Sequence, residues 1–113
     1  MDATIYHNPR CSTSRKALDR LREEGFEPQV VKYLDEVPSR EQLRTLISDA
    51  GLTVREAVRT REAEYKELGL ADASDDELLD AMVEHPKLIQ RPFVVTGKGT
   101  RMARPLESLD EII

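Results

Sequence analysis

Three capping boxes within about forty residues constrain this chain more than any other local signal. Ser39-Arg40-Glu41-Gln42, Thr53-Val54-Arg55-Glu56 and Ser74-Asp75-Asp76-Glu77 each place a hydroxyl three residues before a Glu or Gln side chain. Each pair can satisfy two backbone N–H groups that a helix start leaves open. The middle of the chain must therefore be helical and punctuated. The first box predicts a helix to Ala50, closed by Gly51, and the second a short helix through Arg59 or Thr60. A helical turn at Glu64 to Leu68 ends at Gly69, and the third box opens a helix with Leu78, Leu79, Met82 and Val83 on its apolar face. That helix stops at His85-Pro86.

The flanks have a different period. Ala3-Thr4-Ile5-Tyr6-His7 reads as a strand ended by Asn8-Pro9. A helix follows from about Ser14 to Glu24, with Ala17, Leu18 and Leu21 as its stripe and Gly25 at its end. Pro28 to Tyr33 is a second strand, so the first crossover is parallel. After the helical middle, Pro92 to Thr96 and Thr100 to Ala103 form a hairpin over Gly97-Lys98-Gly99. Pro105 to Ile112 is a last helix. The order β-α-β, helical insertion at about 39–85, β-β-α implies a single α/β domain over 1–113 with a mixed four-stranded sheet, a thioredoxin-like arrangement. The length of 113 residues and 35% charged content suit one soluble domain and exclude a disordered chain.

The net charge is −5, which argues against nucleic acid as a partner, yet it is unevenly spread. Ala3 to Leu18 holds Arg10, Arg15 and Lys16 with no acid, and Pro86 to Arg104 holds Lys87, Arg91, Lys98, Arg101 and Arg104 with none. Those eight cations leave −13 on the remainder. If the two windows meet, they make a local anion site; if not, they are solvated surface.

The single cysteine, Cys11, excludes an intrachain disulfide and a cysteine-rich zinc site, and no histidine or carboxylate cluster suggests a metal. It follows a strand and a Pro-containing loop and precedes a helix, where free N–H groups and the dipole stabilise thiolate. Its neighbours Asn8, Pro9, Arg10, Ser12, Thr13 and Ser14 are polar or turn-forming, so an exposed, reactive thiol is expected rather than a buried one. Ser14 stands where a dithiol reductase keeps its resolving cysteine, so an external thiol must regenerate Cys11. Ala17 stands where a phosphatase loop needs arginine, which disfavours that mechanism. No apolar run approaches the length of a membrane span, no signal peptide is visible, and the free thiol suits a cytoplasmic setting.

His7-Asn8-Pro9-Arg10-Cys11-Ser12-Thr13-Ser14-Arg15, with Arg91-Pro92-Phe93-Val94-Val95 and Arg101-Met102-Ala103-Arg104-Pro105 far downstream, resembles the glutaredoxin-coupled arsenate reductase (ArsC-like) family. Tyr65 to Leu70 and His85-Pro86 match as well, so the resemblance spans nearly the whole chain. It implies that Cys11 is the nucleophile toward arsenate and that Arg59, Arg91 and Arg104 hold the oxyanion. It assigns His7 to lowering the cysteine pKa, Ser14 to a hydroxyl near the thiolate, and Pro92 to a cis-proline. It further implies glutathione as co-substrate, glutaredoxin as partner, no bound cofactor and a monomer. Arg59 could instead complement a helix end, and Arg101, His85 and Lys98 read as surface, cap and hairpin tip. Two other functions share these features. One is an Spx-like interaction module on RNA polymerase, whose usual CxxC switch Ser14 removes; the other is a glutathione-dependent thiol oxidoreductase with a different substrate.

Overall fold

Strand β1, Asp2–His7, alternates: Ala3, Ile5 and His7 turn to a buried face while Thr4 and Tyr6 are half-buried. A computed structural model describes residues 2–113. Two compact units divide it, the residues through Glu36 with Arg91–Ile113, and Val37–Gln90.

In the first unit, β1 pairs in parallel with β2 (Glu27–Lys32) and antiparallel with β3 (Phe93–Thr96), which pairs antiparallel with β4 (Gly99–Met102). The sheet order is β2-β1-β3-β4. Helix α1, Ser12–Glu23, crosses from β1 to β2 and buries Ser14, Ala17 and Leu21, the i, i+3, i+7 spacing of one helical face. It starts two residues before the expected Ser14 because Cys11 takes the N-cap. Its end is a Schellman closure: Phe26 N–H donates to Leu21 O at 3.0 Å and Gly25 N–H to Arg22 O at 3.1 Å, with Gly25 at φ 88°. Ile5, Ala17, Leu21, Phe26, Val94, Ala103, Leu109 and Ile112 form the core.

The expected last helix is a 3₁₀ helix, Leu106–Glu111. Leu106, Leu109 and Ile112 recur every three residues, and a helix of three residues per turn stacks them along one line against that core.

In the second unit, α2 (Arg40–Asp49) and α4 (Asp75–Glu84) open on complete capping boxes at Ser39/Gln42 and Ser74/Glu77. The short α3 is Ala63–Glu67, followed by Gly69 at φ 64°. The middle box also closes, with Thr53 N–H to Glu56 Oε1 at 2.9 Å and Glu56 N–H to Thr53 Oγ1 at 3.2 Å. It yields only the 3₁₀ turn Arg55–Ala57, not the expected helix to Arg59 or Thr60. Val58 turns to extended geometry and bridges Ile89, which buries both Val58 and Ile89. Burial of two aliphatic side chains outweighs another helical turn. Among the described residues, no helix is long and apolar enough to cross a membrane.

Candidate active site

The sheet register explains why distant residues meet. The last β3–β4 pair is Phe93 with Met102, and Ala103 N–H still donates to Pro92 O at 2.8 Å beyond it. One further step sets Arg91 opposite Arg104. At the same end, β1 runs out into Asn8 after His7 and β2 into Tyr33 after Lys32. Tyr33 and Asn8 follow the last residues of β2 and β1, and Arg91 and Arg104 lie two residues outside β3 and β4, so all four stand at one end of the sheet. The peptide bonds Arg91–Pro92 and Arg104–Pro105 are cis.

Cys11 stands at the N-cap of α1 at this end of the sheet. The loop before it is pinned by Asn8, whose carbonyl accepts from Cys11 N–H at 3.0 Å and whose side-chain oxygen accepts from Arg10 N–H at 3.0 Å. Arg104 is held at two points. Its Nε donates to Arg91 O at 2.8 Å and its Nη2 lies 3.3 Å from Cys11 Sγ. The first contact aims the second.

Contrary to the expected exposure, Cys11 is buried, at 7%. Pro9, Arg10 and Ser12 take the solvent side of the loop, whereas Asn8, Cys11 and Ser14 face inward. Burial pushes the thiol pKa up, but the Ser14 backbone N–H, hydrogen bonds from Arg91 and Arg104 and the Arg104 charge outweigh it, leaving it at about 7. The Ser14 N–H faces the sulfur without the alignment of a full capping bond. A thiol whose pKa is lowered to about 7 populates thiolate, the form of cysteine that can act as a nucleophile.

His7 Nδ1 and Ser14 Oγ are 2.7 Å apart, and Asn8 N–H donates to the same oxygen at 3.0 Å. Burial, with the charges of Lys32, Arg22 and Arg15, lowers the His7 pKa, so the ring is neutral at pH 7. The three residues form a buried polar network under the cysteine loop.

Arg59 belongs to the other unit. There its N–H donates to Leu88 O at 2.7 Å and its Nε lies 3.4 Å from Glu62 Oε1. Arg101 pairs with Glu111 on the surface, and Lys98 Nζ donates to Ile113 O. Beside the cysteine loop, a cleft of about 330 Å³ is bordered by His7, Asn8, Arg10, Lys32 and Asp35. Among the described residues, no group of three or more His, Cys, Asp or Glu could hold a metal ion.

Residues 6–112 match the model of the ArsC family. The chain belongs to the ArsC family. This ArsC-family chain is 55% identical to the arsenate reductase of Rhizobium meliloti (strain 1021), over all of its own length and 82% of that protein's. It is 47% identical to the uncharacterized protein YfgD of Escherichia coli (strain K12), covering 96% of this chain and 94% of that one. The structure of the arsenate reductase from Vibrio cholerae superimposes with a TM-score of 0.95 at 50% identity, covering 100% of this chain and 98% of that one. The fold is thioredoxin-like, with the mixed four-stranded sheet expected from the element order.

Asn8 and Tyr33 join the site without being among the residues expected there. Asn8 carried a signal in the Asn-Pro turn after a strand. Tyr33 carried none, because its place beside Arg91 comes from pairing between strands far apart in the chain.

Proposed function

We propose that this protein is an arsenate reductase. The Cys11 thiolate attacks arsenate, a hydroxide leaves as water once protonated, and a Cys11–S–As(V) adduct forms. Arg91 and Arg104 neutralise the arsenic-bound oxygens. Glutathione attacks the adduct, and glutaredoxin resolves the resulting mixed species. Two thiol equivalents are oxidised to a disulfide and supply the two electrons that take arsenic from pentavalent to trivalent. Water hydrolyses the Cys11–S–As(III) bond, so arsenite leaves and Cys11 is a thiolate again.

The observation that carries this reading is the Arg104 Nη2 at 3.3 Å from a thiol whose pKa is about 7. Roughly half of Cys11 is then thiolate at pH 7, against a few per cent for an ordinary cysteine. His7 and Ser14 act by holding the loop, since a neutral imidazole adds no charge to the thiolate. The cleft beside the loop mixes Arg10 and Lys32 with Asp35, a charge pattern that suits a zwitterionic peptide thiol such as glutathione. The protein works as a monomer in the cytoplasm and needs no bound cofactor.

The test is arsenate-dependent oxidation of glutathione by purified protein with glutaredoxin. Turnover above a Cys11→Ala control is expected, and none above it overturns the reading. A panel of other small oxidants in the same cycle separates it from a thiol oxidoreductase of different specificity.

A further inference from the structure

Tyr33 lies at the end of the sheet that carries the site, one residue beyond β2, with the Asn8 and Arg91 side chains beside it. Its side chain is 1% exposed. The hydroxyl is buried with the Arg91 and Asn8 side chains beside it, yet makes no well-formed hydrogen bond to either. A buried hydroxyl in that state costs stability relative to phenylalanine, which would fill the same space without a polar atom to satisfy. The phenol keeps its proton at neutral pH, because burial raises its pKa more than the Arg91 charge lowers it. It can therefore accept from one neighbour and donate to another.

Arg104 Nε donates to the Arg91 carbonyl, which fixes the backbone at that position. The Arg91 head group is also one of the donors that lower the Cys11 pKa. Resting on the oxyanion reading of the site, we propose that Tyr33 is a positioning residue. Its hydroxyl accepts from the Arg91 guanidinium and donates toward Asn8 Oδ1, and so holds the Arg91 charge at the Cys11 sulfur and at the oxygens of a bound oxyanion. The Asn8 oxygen has a lone pair to spare beyond the one taken by Arg10 N–H. Tyr33 would thus tie the cysteine loop to Arg91 without touching substrate.

Tyr33→Phe removes the oxygen and keeps the ring, so the protein should fold. Three measurements on it test the proposal. In iodoacetamide alkylation of Cys11 followed against pH, the midpoint should rise by about half a unit or more. Protection of Cys11 from alkylation by arsenate, or by sulfate as an unreactive tetrahedral anion, should need roughly three- to tenfold more anion. The melting temperature should stay the same or rise, because an imperfectly satisfied buried hydroxyl is gone. In an Arg91→Ala background, Tyr33→Phe should no longer move the thiol midpoint, since the path runs through Arg91.

The proposal falls if Tyr33→Phe leaves both midpoint and protection at wild-type values. It falls equally if the midpoint shift persists without Arg91, or if melting temperature drops while the thiol is unaffected. Absence of saturable protection in the wild-type protein would overturn the oxyanion reading itself, and the midpoint comparison would then decide the Tyr33–Arg91 coupling separately.

Discussion

The sheet unit and the helical stretch Val37–Gln90 treat polar groups in opposite ways. In the helical stretch every residue in the buried class is apolar, and its capping boxes and the ion pairs of Arg40 and Arg44 with Asp76 are exposed. Exposed pairs of that kind are worth at most about 1 kcal/mol each. In the sheet unit, His7, Asn8, Ser14, Thr96 and Thr100 are all buried, and Cys11 is buried with them. Thr96 and Thr100 sit on the hairpin, but the other three and Cys11 gather at one end of the sheet. Burying polar groups costs free energy unless they are well paired, and the Tyr33 hydroxyl makes no well-formed hydrogen bond. The contrast teaches where to look for function: in the region that spends stability on whole buried polar residues.

The largest expected break in this comparison is functional. Cys11→Ser should cut arsenate reduction by at least about a thousandfold, because the alkoxide needed at that position is not populated near neutral pH. Its melting temperature should stay within a few degrees of wild type. A kinetic assay beside a thermal scan checks both, and retained turnover would remove Cys11 as nucleophile. The converse belongs to the helical stretch. Leu79 is fully buried on α4, so Leu79→Ala should cost about 2–5 kcal/mol in denaturant unfolding. The alkylation midpoint of Cys11 should nonetheless stay at about 7, since Ser14, Arg91 and Arg104, which set it, all belong to the sheet unit.

How far each region was legible in the sequence follows the same line. The helical stretch announces itself locally: a hydroxyl, a Glu or Gln three residues on, and an apolar stripe. Even its misread element, the turn after Thr53, failed only where a nonlocal bridge between Val58 and Ile89 intervened. The sheet unit gave up its strands and its cysteine loop in the same local way. The pairing of Arg91 with Arg104 was available in principle, because a tight turn at Gly97-Lys98 fixes the register of the hairpin. Burial of Cys11 and the placement of Tyr33 were not available. Both depend on which side of a loop or strand meets its neighbours, and polar neighbours in sequence say nothing about that. Leu106, Leu109 and Ile112 lie between these cases, since a spacing of three fits one face of an α-helix loosely and a 3₁₀ helix well.

A smaller effect tests the cost of the site directly. The folded thiol sits at about 7, below the unfolded value near 8.5, so unfolded protein binds more protons between those two pH values. Cys11 therefore adds stability that is fully present above about 8.5 and is lost as pH falls through 7. Relative to Cys11→Ala, wild-type stability should grow by roughly 2 kcal/mol at most between pH 6.5 and 9. Urea unfolding of both proteins across that range measures it. A flat difference would mean that the thiol is not ionised in the native state. Arg104→Ala should flatten the difference too, as it removes both a hydrogen bond and a charge from the sulfur.

The smallest effect sharpens the comparison from the other side. In the Ser74 box, Glu77 N–H donates to Ser74 Oγ at 3.2 Å and Ser74 N–H to Glu77 Oε1 at 3.1 Å. The same contacts hold the Glu77 carboxyl below its usual pKa. Ser74→Ala should cost about 0.5–2 kcal/mol, because one open N–H of the helix start then turns to water instead. That cost should be independent of pH between 6.5 and 9, where Glu77 is ionised in either state. The same box geometry at Ser39 should give Ser39→Ala a similar value, and the two should add within about half a kcal/mol. Cys11 occupies the equivalent N-cap position on α1, yet no aligned capping bond forms there. Replacing it with Ser, a far better cap, should therefore bring stability while removing chemistry, and the sign of that change against Ser74→Ala distinguishes a helix start built to fold from one built to react.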